Sequence, residues 1–375
     1  MPRPTTTPKL KLATILGTRP EIIRLSAVIK LAGQVFDHTL IHTGQNYAYT
    51  LNQIFFEDFN IGAPDHYLDA VGSNLGETIG NIIAKSFKLL ADIRPDAVLI
   101  LGDTNSALSA ISAKRLKIPV FHMEAGNRCF DENLPEELNR RIVDHISDVN
   151  LPYSEQARRN LLAEGIKREY TFVTGSPMRE VLENRKKSDI LPRLGLSPQK
   201  YIILSIHREE NIDIEPNFYE LIGAINGLAE KFSLPVLYSV HPRSQNAISA
   251  HGVKFDPRVI THEPFGFFDY IALQQNAFCV VSDSGTLAEE SSILGFPAVS
   301  ARTSTERQEA IDRGGMIIGG IGKDAILQAV ELAVQLKDTP SAAVPDYTDR
   351  NVSEKVCKII QGYTEIINRM IWRKN

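Results

Sequence analysis

Short runs of β-branched and aliphatic residues that stop at Gly, Asp or His alternate along almost the whole chain with stretches whose apolar residues recur at helical spacing. This is the pattern of βαβ units, which pair their strands in parallel and cover the sheet with helices on both faces. In the first half the strands are expected at Leu10–Gly17, His38–Gly44, Asp96–Asp103, Ile118–Gly126, Val149–Ser154 and Tyr170–Gly175. A polar, basic stretch from Glu180 to Lys200 interrupts the pattern. A second series follows at Tyr201–Ile206, Pro235–Val240, Val259–His262, Phe278–Ser282, Pro297–Ala301 and Met316–Ile318, with a helix over Asn217–Phe232. Beyond the polar segment Asp338–Arg350 a last amphipathic helix is expected over Val352–Trp372. The fold class is therefore α/β, two wound sheets in succession, with a boundary near Met178–Arg185. The domains are expected at residues 1–178 and 179–350, followed by a C-terminal helix over 351–375. A chain of 375 residues exceeds what one core usually serves.

Composition narrows the function. A formal charge of −4 argues against a general nucleic-acid binder, which needs clustered Lys and Arg. No run of eighteen apolar residues offers a membrane span, and Met1–Lys9 has prolines and threonines but no apolar segment, so a cytoplasmic protein is expected. Cys129, Cys279 and Cys357 form no C-x-x-C pair, so neither a disulfide framework nor a zinc site is expected.

Ligands of wound parallel sheets collect at the carboxyl ends of the strands, so the polar residues there are the candidates. The first strand runs into Gly17-Thr18-Arg19-Pro20-Glu21, with Arg24 one turn on. Free backbone N–H groups, a helix N-terminus and two guanidinium groups would suit a phosphate. A solvated surface turn is the plainer alternative. Asp103 and Glu124 close two later strands, and Glu136 opens the helix Pro135-Glu136-Glu137-Leu138-Asn139-Arg140-Arg141. Along that helix Leu138, Ile142 and Ile146 are expected to form the buried stripe, with Glu136, Arg140 and Asp144 on another face. Asp103 as a cap or Glu136 as a first-turn charge would need no catalytic role. Glu124 is harder to explain structurally, because a carboxylate directly after an apolar strand needs a partner or a raised pKa. In the second half, His207-Arg208-Glu209 and His241-Pro242-Arg243 end neighbouring strands, and Ser282-Asp283-Ser284-Gly285 leads into a helix bearing Glu289 and Glu290. That loop resembles a phosphate cradle with a carboxylate for ribose hydroxyls. No G-x-G-x-x-G follows the first strand, which removes the main reason to propose NAD.

These segments, together with Gly102-Asp103-Thr104, Glu124-Ala125-Gly126, Thr174-Gly175-Ser176 and Thr305-Glu306-Arg307, resemble the non-hydrolysing UDP-N-acetylglucosamine 2-epimerases over nearly the whole chain. The resemblance implies two Rossmann-like domains of the GT-B type, an active site in the cleft between them, and a last helix crossing back to the first domain. It also implies anti-elimination of UDP to a 2-acetamidoglycal and re-addition with inversion at C2, without cofactor or metal, in a homodimer. Asp103, Glu124, Glu136 and His207 are the expected catalytic residues. Arg19, Arg24, Arg128, Arg208, His241, Arg243, Phe265, Ser284, Gly285, Glu290 and Arg307 are the expected contacts to the UDP-sugar. Where well-known members have Lys the chain has Arg24, where they have Gln-His it has Gln45-Asn46-Tyr47, and where they have Pro it has Gln308. The loop Asn127–Asp131 also differs. These features, with segments Gly72–Lys85 and Phe265–Gln274, resemble the capsule and O-antigen branch that makes UDP-N-acetyl-L-fucosamine. A sister branch acting on UDP-diacetamido-glucuronic acid shares the Asn127–Asp131 loop. The Gln45–Tyr47 change argues against the substrate activation of some relatives. The alternatives are a glycosyltransferase of the same fold and a silent UDP-sugar binding protein.

Overall fold

The computed structural model describes residues 8–44, 53–339 and 343–374, so Gln45-Asn46-Tyr47 and the first seven residues lie outside the described residues. The chain divides into two compact units, residues 1–183 with 349–375, and residues 184–348. The first division thus falls five residues beyond the expected 178. The segment Met178–Glu183 is helical and packs on the helix Arg19–Val35, which keeps it in the first unit.

In the first unit the strands are β1 (Lys11–Leu16), β2 (Asp37–His42), β3 (His66–Tyr67), β4 (Ala97–Leu101), β5 (Val120–Met123) and β6 (Val149–Leu151). They form one parallel sheet in the order β3-β2-β1-β4-β5-β6. β4 is buried at every residue, as a central parallel strand with helices on both faces must be. Two expectations fail here. Tyr170–Gly175 is not a strand: after a 3-10 turn at Arg168–Tyr170 it runs extended beside β6 with one bridge, Asn150 to Thr171. The two-residue β3 was not expected, being too short to carry periodicity. The last helix, Val352–Met370, packs on Arg19–Val35, and Ser353 donates to Glu180 through N and Oγ at 2.9 and 2.6 Å.

The second unit has β7 (Ile202–Ser205), β8 (Val236–Ser239), β9 (Val259–His262), β10 (Cys279–Ser282), β11 (Ala298–Ser300) and β12 (Ile317–Ile318), all parallel, in the order β12-β11-β10-β7-β8-β9. Counted from its own first strand, this is the order of the first sheet. Each sheet therefore reverses direction at one place, between β1 and β4 and between β7 and β10. There the loops on either side lead to opposite faces and leave a crevice. Together the units have the two-domain Rossmann-like architecture of the GT-B type. Among the described residues no helix is long and apolar enough to cross a membrane.

Candidate active site

In each unit a buried carboxylate ties the two loops that flank the reversal. In the first, Glu21 on the opening turn of Arg19–Val35 is 1% exposed and accepts from Gly17 N at 3.1 Å, Thr18 Oγ1 at 2.7 Å and Ser106 Oγ from beyond β4. Burial raises its pKa, partly opposed by those donors. The Gly17 N–H is thus occupied, which corrects the expectation of a free amide there: the third residue of the helix caps its own N-terminus, as in a capping box. In the second unit, Asp283 after β10 is fully buried and accepts from His207 N, Arg208 N and Asn211 Nδ2 at 2.9, 2.8 and 3.0 Å. His207 Nδ1 lies 3.2 Å from its other oxygen. Burial alone would raise this carboxyl, but His207 and the two amides hold it at about 2.

Asp103 and Glu124 follow the adjacent strands β4 and β5. Gly102, at φ +71°, turns the chain so that Asp103 leaves the sheet edge, and Glu124 itself takes φ +64°, a left-handed conformation uncommon for a non-glycine residue. Glu124 is 7% exposed and is met by Arg24 Nη1 at 2.5 Å and Asn127 Nδ2 at 3.3 Å. The partner its position required is therefore Arg24, and that expected phosphate contact is engaged within the first unit. Asp103, one-fifth exposed at its side chain, is gripped on Oδ2 by Arg140 Nε and Nη2 at 2.9 and 2.6 Å.

The helix Pro135–Ile146 buries its charged face together with part of the expected stripe: Ile142 and Ile146 are half-buried against the core of the first unit, beside the fully buried Val143. Leu138 is 65% exposed, whereas Glu137, Asn139, Arg140 and Asp144 are buried. The reason is the loop beneath it. Glu137 accepts from Cys129 N and Phe130 N; burial would raise its pKa, but the Cys129 thiol donating at 3.1 Å, the Arg140 guanidinium and the Cys129 amide bring it below the ordinary value. Asp144 accepts from Gly126 N and from Arg128 Nη1. His122, fully buried, reaches Gly102 O at 2.8 Å and lies 3.0 Å from Asp144. Gly126 is obligatory, because φ is +82° and a Cβ would strike the Ala157 carbonyl. Arg128 is not placed as a ligand contact. It is 1% exposed and pairs with Asp144 and, through two nitrogens, with Glu164. Glu136 is half-buried, and its carboxylate makes no hydrogen bond or ion pair with any described residue. Arg19 lies with its guanidinium 5.9 Å from the Phe55 ring.

In the second unit Arg208 Nε donates to Asp283 O at 2.9 Å, and the His207 and His241 rings lie 5.4 Å apart. His241 also caps its helix by accepting from Arg243 N. Arg243 is exposed and pairs with Glu209 at 2.6 Å. Phe265 stacks on His262 with ring centroids 4.1 Å apart. Ser284 and Gly285 remain half-open beside β10. Glu290 is 4% exposed and accepts from Gln274 Nε2 at 2.7 Å, and Arg307 is 1% exposed and donates to Glu289. Sequence reasoning missed Glu21, Asp283, His122 and Glu137 as organisers. Glu21 and Asp283 lay inside quoted motifs, but their burial had no signature in the sequence. Among the described residues no group of His, Cys, Asp or Glu could hold a metal ion.

Residues 30–361 match the family described as UDP-N-acetylglucosamine 2-epimerase. The solved UDP-N-acetylglucosamine 2-epimerase of Rickettsia bellii is 44% identical, with a TM-score of 0.90 over 98% of this chain and 100% of that one. That of Methanocaldococcus jannaschii, in complex with UDP-GlcNAc and UDP, is 33% identical, with a TM-score of 0.89 over 94% of this chain and 100% of that one. The UDP-2,3-diacetamido-2,3-dideoxy-D-glucuronate 2-epimerase of Pseudomonas aeruginosa is 32% identical over 87% of this chain and 92% of its own length.

Proposed function

This chain belongs to the UDP-N-acetylglucosamine 2-epimerase family and is a sugar-nucleotide epimerase, and from that premise we propose that it inverts C2 of a UDP-linked N-acetylamino sugar by eliminating UDP and adding it back. The observation that carries this reading is the pair of carboxylates on adjacent strand ends, Glu124 against Arg24 and Asp103 against Arg140. The C2 hydrogen is not next to a carbonyl, so no carboxylate removes it unless the C1–O bond is already loosening. Positive charge around the diphosphate supplies that loosening by stabilising the departing oxygen. One carboxylate takes the C2 proton, the C1–O electron pair leaves with UDP, and a C1=C2 double bond remains in the glycal. UDP then attacks C1 while the second carboxylate returns a proton to the other face of C2. Glu124 and Asp103 do the proton work, and Glu136, whose carboxylate bonds to no described residue, positions or relays.

The second unit's Ser284–Gly285 loop is the seat we assign to the diphosphate, with His207 fixed against Asp283 beside it. Within the class, the sugar we propose is UDP-2-acetamido-2,6-dideoxy-L-talose, giving UDP-N-acetyl-L-fucosamine for capsule or O-antigen synthesis. Support comes from Arg24, Gln308 and the segments Gly72–Lys85 and Phe265–Gln274; the loop Asn127–Asp131, which displays an apolar ring, Phe130, 63% exposed, is shared with the branch acting on UDP-diacetamido-glucuronic acid. UDP-N-acetylglucosamine and UDP-diacetamido-glucuronic acid are the other readings, both supported by the substrates named for the relatives. The family resemblance further supports a cytoplasmic homodimer.

The test is incubation with a panel of UDP-amino sugars in D2O. Deuterium at C2 of both epimers is expected, fastest with the 6-deoxy sugar. Turnover that needs an acceptor, or epimerisation that leaves C2 unlabelled, overturns the mechanism. A preference for UDP-N-acetylglucosamine overturns the sugar assignment alone.

A further inference from the structure

Arg302, just past β11, is 3% exposed, and only one of its nitrogens has a partner: Nη1 donates to Glu306 Oε2 at 2.8 Å. Its Nε and Nη2 are buried without a hydrogen-bond partner. A guanidinium removed from water normally engages its donors, so this one is only partly satisfied. Its carboxylate partner is equally unusual in position. The other oxygen of Glu306 is so close to Gly285 that a Cβ there would collide with it, and Arg208 Nη2 lies 4.0 Å from the same point. The Gly285 N–H donates to no described residue. A carboxylate therefore occupies the opening of the Ser284–Gly285 loop, between an open amide and two guanidinium groups.

We propose that Glu306 is a resident anion holding the diphosphate seat, and that Arg302 is a further diphosphate-binding residue which Glu306 keeps neutralised until a nucleoside diphosphate takes its place. This rests on the assignment of that loop to the diphosphate. Two anions do not share one small seat, so the incoming phosphate displaces the carboxylate. Arg302, too buried to stand without a counter-charge, then pairs with the phosphate. A phosphate has more acceptor oxygens than the carboxylate it replaces, and Nε and Nη2 supply the donors for them. Gly285 is required because any side chain would fill the space through which the exchange occurs.

The experiment is calorimetric titration of the full chain with UDP and, separately, with uridine, on the wild type, Glu306→Gln and Arg302→Gln, with melting temperatures as a check on folding. Glu306→Gln removes the competing charge, so UDP is expected to bind about tenfold more tightly, with uridine unchanged. Arg302→Gln is expected to weaken UDP by at least about tenfold, again with uridine unchanged. UDP affinity that falls or stays the same in Glu306→Gln overturns the proposal, as does equal loss of UDP and uridine in a folded Arg302→Gln. Should Arg302→Gln not fold, the Glu306→Gln result decides alone. A wild type that binds no UDP overturns the seat assignment and this inference with it.

Discussion

Arg24 reaches the carboxylate of Glu124 at 2.5 Å across one hundred positions of sequence, from the first helix to the end of β5. A residue expected to touch phosphate is thus the counter-charge of the leading proton-transfer candidate. The pair is largely buried, and removing one member of such a pair costs much more than removing both.

Arg24→Met is expected to destabilise the fold by about 3–5 kcal/mol, and adding Glu124→Gln should restore a large part of that loss. Urea unfolding of the two single variants and the double variant measures the coupling. Simply additive losses would show that the contact carries no energy. Glu124→Gln alone should lower turnover at least about 100-fold while UDP still binds.

Acid should weaken the fold between pH 6.5 and 4. Burial holds the His38 and His42 imidazoles neutral, with values pushed down to about 4 from the ordinary 6.5; for His38, Asp65 opposes the shift. In that window the unfolded chain binds more protons than the folded one, so stability rises with pH across it and falls as pH drops. The full effect is at most about 3 kcal/mol per histidine. Urea unfolding at pH 7, 5.5 and 4 is expected to show a smaller fall in His42→Gln than in the wild type. An equal fall would exclude His42 as a source.

Phe130 holds φ at +57° with its ring 63% exposed, a conformation that costs a bulky side chain energy without the return of burial. Phe130→Gly is expected to raise stability by up to about 1 kcal/mol, measured by thermal unfolding, and to lower kcat/KM for the 6-deoxy substrate. A loss of stability would mean that the ring packs in solution.

The strand ends that carry Asp103, Glu124, His207 and Asp283 were legible because β-branched runs stop there and parallel sheets gather ligands on that edge. In the helix Pro135–Ile146 the expected Ile142 and Ile146 do pack on the core, but Leu138 is exposed and the polar face is buried too, because it covers a loop that needs donors and acceptors. Arg24 and Arg128 are cations complementary to any anion, and the sequence does not say that Glu124 and Asp144 are the anions they meet within the chain.

Local propensity and periodicity alone determined two parallel wound sheets, their order along the chain and the segments at their carboxyl edges, since each depends on neighbours within about twenty residues. Only the tertiary structure decided which charges meet. Glu21 with Ser106, Asp103 with Arg140 and Asp283 with His207 are separated by 85, 37 and 76 positions. Whether a carboxylate is a ligand, a base or a brace depends on the burial and partner it finds across that distance.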